Sequence, residues 1–292
     1  MLGATIYLQL AIAGLAIGAV YALVALAIVI PYKASGVLNF GQGELATLGA
    51  YAALVLASFQ VPYGVAFALV LLGGAVFGML IERLLIRPIA NAPAFTVVIA
   101  TFAIGLAIKS AISVRWGDTV FSVEGPFGDA PLLFAGLRAN PTSLWIVLCT
   151  VAVTVLLTLF FRYARTGKAM RAVALNPEAA TLMGIRVHAT YRWAWAISAA
   201  IGALAGLLVA PVVGVNPEIG QLIMRGLVAA VLGGFTSIAG AVVGGLAVGL
   251  IETFASIAVG STFKNLVPFI VLLLLLALRP HGLFGAREVH RV

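Results

Sequence analysis

Met1 to Pro31 contain no charged side chain, and this uninterrupted apolar opening constrains the chain more than any other feature. It exceeds the roughly 18 residues needed to cross a hydrocarbon core. In lipid a backbone must satisfy its own hydrogen bonds, so the run reads as a helix that spans a membrane. It has no basic n-region, which favours a retained span over a cleaved signal peptide. The rest of the chain is built alike: 63% of the 292 residues are hydrophobic and 9% charged, whereas soluble domains carry roughly a quarter charged residues. With a mean hydropathy of +1.18, too little polar material remains to coat a water-facing surface. The net charge of +8 would suggest nucleic acid in a soluble protein; here it reads as the positive-inside bias of a membrane protein, and no nucleic-acid partner is expected. Cys149 is the one cysteine, so no disulfide forms within the chain.

Polar and basic punctuation divides the sequence into apolar segments near 6–30, 37–59, 63–81, 95–113, 144–161, 193–213 and 266–278, with a glycine-rich region between 221 and 257. A mixed loop at 114–142 carries Asp118, Glu124, Asp129 and three prolines; the most basic stretch is 162–192. If each segment crosses once and 162–192 is cytoplasmic, that side holds Lys33, Arg83, Arg87, the loop's Arg162, Arg165, Lys168, Arg171, Arg186 and Arg192, and the tail's Arg279, Arg287 and Arg291. Lys109, Arg115, Arg138, Arg225 and Lys264 are left outside or at the edge. This asymmetry predicts an N-out, C-in arrangement, with 114–142 on the outer side. The expected fold is a single all-α polytopic domain over 1–292, with about eight or nine transmembrane or re-entrant segments and a weak internal repeat. Trp193 and Trp195 are expected as aromatic anchors at the cytoplasmic interface, and Trp116 and Trp145 at the outer one.

Five GxxxG pairs, Gly14/Gly18, Gly74/Gly78, Gly202/Gly206, Gly240/Gly244 and Gly245/Gly249, mark close helix packing. Two interruptions are expected inside apolar segments, near Asn39–Glu44 and near Gly233–Gly240. Broken helices in corresponding positions of two halves point to a transport pathway. Ionisable groups at membrane depth are functional candidates. The candidates for the path are therefore Glu44 and Glu252, joined by the amides of Asn39 and Gln42, which serve equally well as caps of a broken helix. His188, His281 and His290 lack ligand spacing, and no metal site is expected.

Within the basic loop, Asn176 suits an N-cap, Pro177 the first helical position and Glu178 the positive end of a helix dipole. Ala179, Leu182 and Met183 fall on one face, and Gly184 supplies a terminator. A short helix with an apolar face, held outside the bilayer, fits a groove on a soluble partner; an interfacial helix on anionic lipid has the same features. Gly167-Lys168 precedes alanine and Arg162 stands where a phosphate loop would place its first glycine, so no ATP-binding loop exists here.

Glu178-Ala179-Ala180 followed by Gly184 matches the EAA---G pattern of ABC importer permeases. Gly18-Ala19-Val20-Tyr21-Ala22-Leu23, Asn39-Phe40-Gly41-Gln42-Gly43-Glu44, Glu82-Arg83 with Arg87-Pro88, Gly167-Lys168-Ala169-Met170-Arg171-Ala172 and Arg279-Pro280-His281-Gly282-Leu283-Phe284-Gly285 together resemble LivH-type permeases of branched-chain amino acid importers. Many relatives have His where this chain has Gln42. The resemblance implies that Pro177, Glu178, Ala179, Ala180, Leu182, Met183 and Gly184 form a coupling helix that docks on an ATPase subunit. It further implies a second homologous permease subunit, two ABC ATPase subunits that hold ATP and Mg, and a periplasmic substrate-binding protein, with no cofactor and no catalysis in this chain. Branched-chain amino acids are the implied cargo. An ion-coupled secondary transporter would also use broken helices and buried carboxylates, but would not need the coupling helix.

Overall fold

The computed structural model describes residues 2–90, 92–128, 132–134, 137–258, 260, 266–279 and 282–284. Lys264, His281, Arg287, His290 and Arg291, with Asp129, Pro131, Pro280 and Gly285, lie outside the described residues. The helices are α1 (Leu2–Ser35), α2 (Gln42–Ser58), α3 (Tyr63–Ile81), α4 (Ala94–Trp116), α5 (Pro141–Tyr163), α6 (Arg165–Leu175), α7 (Pro177–Leu182), α8 (Val187–Val213), α9 (Leu222–Gly233), α10 (Ile238–Ala258) and α11 (Val267–Leu278). Among the described residues, six helical stretches are long and apolar enough to cross a membrane, within α1, α4, α5, α8 and α10 and from α3 on through Ile89, and α11 is a shorter apolar helix.

α1 is the central post. Every side chain from Ala19 to Ile30 is buried, because α10, α8, α9 and α5 surround it. A helix apolar on all sides needs such a setting. The most apolar window of α1 is 78% buried and that of α8 72%, against 22% for α3 and α4. The outer helices therefore present Leu69, Leu72, Phe102, Leu148 and Leu156 outward, as lipid-facing surfaces do.

Small residues set the crossings. α1 and α10 run antiparallel with Gly14 against Thr253, Gly18 against Gly249 and Ala22 against Gly245. Gly74 and Gly78 of α3 meet Ala199, Ala203 and Trp195 of α8, while Gly202 and Gly206 of α8 receive Gln42 and Ala46 of α2. The glycine pairs read in the sequence are thus points of close helix approach, most of them against a neighbouring backbone and Gly202 against the Gln42 side chain.

The structure departs from the sequence expectations in four places. α1 does not end at Pro31 but carries it inside the helix to Ser35. The 114–142 loop is not wholly irregular: β1 (Leu132–Phe134) and β2 (Leu137–Ala139) pair antiparallel, and Phe121 bridges to Val215. Outside a helix, such pairing disposes of backbone polar groups. Trp195 is not an interfacial anchor: it is 2% exposed and packs with Leu45, Ile81 and Val97, whereas Trp193 is 49% exposed. Helical phase puts neighbours on different faces, and only one of the two faces the core here. Gly233–Gly240 is, as expected, where two short segments meet: a tight turn joins α9 and α10, with each glycine against the other's backbone. A further break, not read in the sequence, lies at Gly214–Gln221, an extended stretch closed by the 3-10 turn Pro217–Gln221. Arg225 and Lys109, assigned from charge to the outside or its edge, belong to α9 and α4 and are ion-paired there.

A Cβ added at Gly206 would stand 1.8 Å from the Ala46 carbonyl oxygen, whereas one at Gly73 meets nothing within 4 Å. Gly206→Val is expected to abolish a folded peak in fluorescence-detected size exclusion. Gly73→Ala should change stability by no more than about 1 kcal/mol, the usual glycine-to-alanine difference in a helix.

Candidate functional site

Pro31 has no N–H to give the carbonyl of Ala27, four residues earlier in α1. That carbonyl is buried, and an unpaired buried acceptor is costly. Ser198 of α8 meets the need: its hydroxyl lies 2.6 Å from Ala27 O and 2.9 Å from Gln42 Oε1, so one proton serves two acceptors. Gln42 Nε2 donates to the Ser198 carbonyl at 3.0 Å, and Asn39 Nδ2 donates to Gln42 Oε1 at 3.1 Å. Asn39 Oδ1 accepts from the Gly41 N–H at 3.0 Å. Gln42 and Ser198 are fully buried and Asn39 nearly so.

This knot fixes depth. Ala27 precedes the helix end at Ser35 by eight residues, about 12 Å at 1.5 Å per residue. After α1 the chain therefore turns back and starts α2 well inside the bundle. α9 also begins at that level, because the Gly220 carbonyl before it would touch a Cβ on Gly43. Two half-helices thus start side by side and run to opposite ends of the bundle.

Between their starts and α4 lies a cleft of about 210 Å³, lined by Phe40, Gly43, Glu44, Phe102, Gly105, Leu106, Lys109, Gly220, Gln221, Ile223 and Met224. Glu44 Oε2 is closed off and carries no hydrogen bond. Lys109 Nζ meets Glu218 Oε1 at 2.9 Å, and Gln221 Nε2 donates to Glu218. Both side chains of the ion pair are partly open, 34% and 57% exposed.

Among the four path candidates, Glu44 lines this cleft, and Asn39 and Gln42 anchor the start of α2. Glu252 lies elsewhere, 7% exposed between α1, α9 and α10. Tyr21 donates to its Oε2 at 2.8 Å, and Arg225 Nε donates to Oε1 and Oε2 at 3.1 and 3.2 Å. Reading the sequence by apolar segments passes over Glu82, which is 2% exposed in a five-residue π-turn after α3. Arg192 of α8 approaches it at 3.6 Å. The π-turn widens the helix at its end, and the adjacent arginines disguise the carboxylate as loop sequence. Lys109 and Glu218 are likewise invisible as a pair in the sequence, being separated by more than a hundred residues. Asn216-Pro217-Glu218 repeats the cap signal of Asn176-Pro177-Glu178, and could have marked the break at Gly214–Gln221.

At the end of the bundle where α1 finishes, α6 and α7 form a ledge. Gly167 lets α6 lie against the Phe160 carbonyl of α5, and Met170 and Val173 are buried beneath it. Asn176 caps α7 by accepting from the Ala179 N–H at 2.9 Å. Gly184, at φ +79°, closes it: its N–H donates to Thr181 O, and that of Ile185 to Ala180 O. This is a Schellman closure, which needs a residue tolerant of the left-handed region. Ala180 points inward, while Leu182 and Met183 are 88% and 82% exposed. A 530 Å³ cavity beside α7 is lined by Lys33, Gly36, Arg171, Pro177, Tyr191 and Thr236, among others. The tail joins this end, where Leu283 and Phe284 N–H groups donate to Leu232 and Gly233 carbonyls.

The polar knot makes a sharp expectation. Ser198→Ala leaves Ala27 O and the Gln42 amide short of a partner and should destabilise the protein by about 1–3 kcal/mol. Adding Pro31→Ala supplies an N–H for Ala27 O and should return part of that loss. Thermal unfolding of the single and double variants in detergent measures it, and additive losses would refute the pairing.

Residues 10–276 match the model of a family described as branched-chain amino acid transport system, permease component. The chain is 32% identical to the high-affinity branched-chain amino acid transport system permease protein LivH of Escherichia coli K12, covering 98% of both chains. It is 31% identical to BraD of Pseudomonas aeruginosa, named as a permease of the same kind of system, again over 98% of both. A nucleoside ABC transporter permease, NupC of Lactococcus lactis, is 25% identical over 83% of both chains. No solved structure matches.

Proposed function

The chain belongs to the branched-chain amino acid transport permease family and is a permease subunit of an ABC importer; from that premise we propose that its cargo is branched-chain amino acids delivered by a periplasmic binding protein. A permease component is one part of a larger machine, whereas an ion-coupled carrier works alone, and family membership decides between them. The cargo is supported by the names of the relatives at 32% and 31% identity, set against the weaker similarity to the nucleoside permease at 25%.

The end of the bundle carrying Lys33, α6, α7 and Leu283 faces the cytoplasm in this reading, because the basic loop lies there. The chain then passes nine times, as α1, α2, α3, α4, α5, α8, the 214–233 stretch, α10 and α11, with the N-terminus outside and the C-terminus inside the bacterial inner membrane. Half-helices that start inside a bundle bring polar groups to mid-depth without exposing unpaired backbone to lipid. The path lies along the cleft that Glu44 lines; Asn39 and Gln42 hold its wall in place, and the Glu252–Arg225 pair braces α9 and α10 against α1.

The single observation that carries the coupling role is the exposed pair Leu182 and Met183 on a helix closed at both ends by its own caps. An ATPase subunit with a hydrophobic groove would take these two side chains, with Pro177, Glu178, Ala179, Ala180 and Gly184 giving the helix its start, polarity and stop. Two such ATPase subunits, holding ATP and Mg, a second homologous permease and the binding protein complete the importer.

Leu182→Asp is the test. The side chain is outside the core, so the purified permease should unfold within about 0.5 kcal/mol of wild type, as surface substitutions do. ATP-driven leucine uptake in proteoliposomes with all subunits should fall roughly tenfold or more, as when a charge enters an apolar groove. Wild-type uptake by Leu182→Asp would refute the docking role of α7.

A further inference from the structure

We infer that the cleft between α2, α4 and the start of α9 is a transient binding site for a zwitterionic amino acid with a small apolar side chain. Glu44 receives the ammonium and Lys109 the carboxylate. This rests on the importer reading above and goes beyond it by naming the groups that hold the cargo.

The chemistry of the lining leads there. Glu44 places a carboxylate oxygen in a closed position with no hydrogen bond. A buried acceptor in that state is costly, and an ammonium with three donors is a ligand that relieves it. Across the same cleft stands Lys109, the opposite charge. Its existing partner, Glu218, is more than half exposed. Such open ion pairs contribute little, so Lys109 exchanges Glu218 for a ligand carboxylate at small cost. The remaining wall is Phe40, Phe102, Leu106, Ile223 and Met224, which suits an apolar side chain.

Size and depth agree. At about 210 Å³ the cleft is smaller than the roughly 300–1,000 Å³ of drug-sized pockets, and fits a metabolite of few atoms. Gly43, Gly105 and Gly220 keep it open, since side chains there would fill it or strike the opposing backbone: a Cβ on Gly220 would sit 2.1 Å from Glu44 Oε1. The α2 and α9 half-helices both begin here, so their N-terminal dipole ends add positive potential for a carboxylate. Glu44, Glu218 and Lys109 together carry one net negative charge, and a zwitterion adds none to the cleft. When Lys109 turns to the ligand carboxylate, Glu218, more than half exposed, is left to solvent.

The chain offers a clean probe, because its only cysteine, Cys149, is buried. In a Cys149→Ser background, Leu106→Cys puts a thiol on the cleft wall, where Leu106 is 51% exposed. The variant is assembled with its ATPase subunits and binding protein in proteoliposomes, and thiol labelling by N-ethylmaleimide is followed with and without added ligand. Leucine should slow labelling. 4-Methylpentanoate, which lacks the ammonium, and 3-methylbutylamine, which lacks the carboxylate, should each protect about tenfold less well, the loss expected for one charge-assisted hydrogen bond. Adding Glu44→Gln should remove the preference for leucine over 4-methylpentanoate, and Glu44→Asp should restore part of it. Equal protection by all three compounds on the otherwise unaltered chain would overturn the site while leaving leucine uptake, and so the importer reading, intact. An undiminished preference for leucine in Glu44→Gln would overturn it as well. If the wild-type complex takes up no leucine, the cargo assignment falls and the site falls with it.

Discussion

The hydrogen bond from Ser198 to the Ala27 carbonyl is the contact on which the rest of the structure depends. It exists because Pro31 cannot supply the donor that the α1 helix would otherwise provide. The same hydroxyl and the adjoining carbonyl hold the Gln42 amide, and Gln42 is the first residue of α2. One missing N–H in the central helix thus determines where the next helix starts. With water absent, each orphaned group must find a protein partner, and these partners tie α1, α2 and α8 into one unit.

The second half of the chain reaches the same level by a different route. Asn216 caps the 3-10 turn Pro217–Gln221, which brings Gly220 against Gly43. The meeting of two glycines allows two broken segments to approach closer than side chains would permit. What results is an opening with charged groups on its wall, inside a largely apolar bundle. Elsewhere the buried carboxylates have cations beside them: Arg225, with Tyr21, satisfies Glu252, and Arg192 faces Glu82. Glu44 and Glu82 each have a closed-off oxygen without a hydrogen bond; what separates Glu44, a candidate transport group, from a structural brace is that it lines a cleft, whose cation is engaged by Glu218.

Path and coupling element connect through α1. Its middle is locked to α2 and α8 by the Ser198 knot, and its end at Lys33 to Ser35 lines a cavity shared with Arg171 and Pro177 beside α7. Lys33 also sits over the Phe161 ring at 5.4 Å, binding α1 to the helix that leads into α6. A displacement of α7 by a partner therefore bears on the helix that sets the level of α2, through packed groups rather than a flexible linker.

Much of this was legible in the sequence because it depends on neighbours along the chain. The length of apolar runs dictates spans, Asn176-Pro177-Glu178 dictates a helix start, and Gly184 its stop, since caps and terminators act within a turn or two. GxxxG spacing announced the crossings for the same reason. Tertiary structure alone decided which distant groups meet: Ser198 with Ala27, Arg225 with Glu252, Lys109 with Glu218, Gly43 with Gly220. It also turned Trp195 inward and added a break at Gly214–Gln221 to the one at Gly233–Gly240. Hydrophobic pattern cannot tell a hairpin between two helices from a break within one, nor a paired carboxylate from an unpaired one. Those distinctions depend on partners far along the chain, which are defined only once the helices have packed.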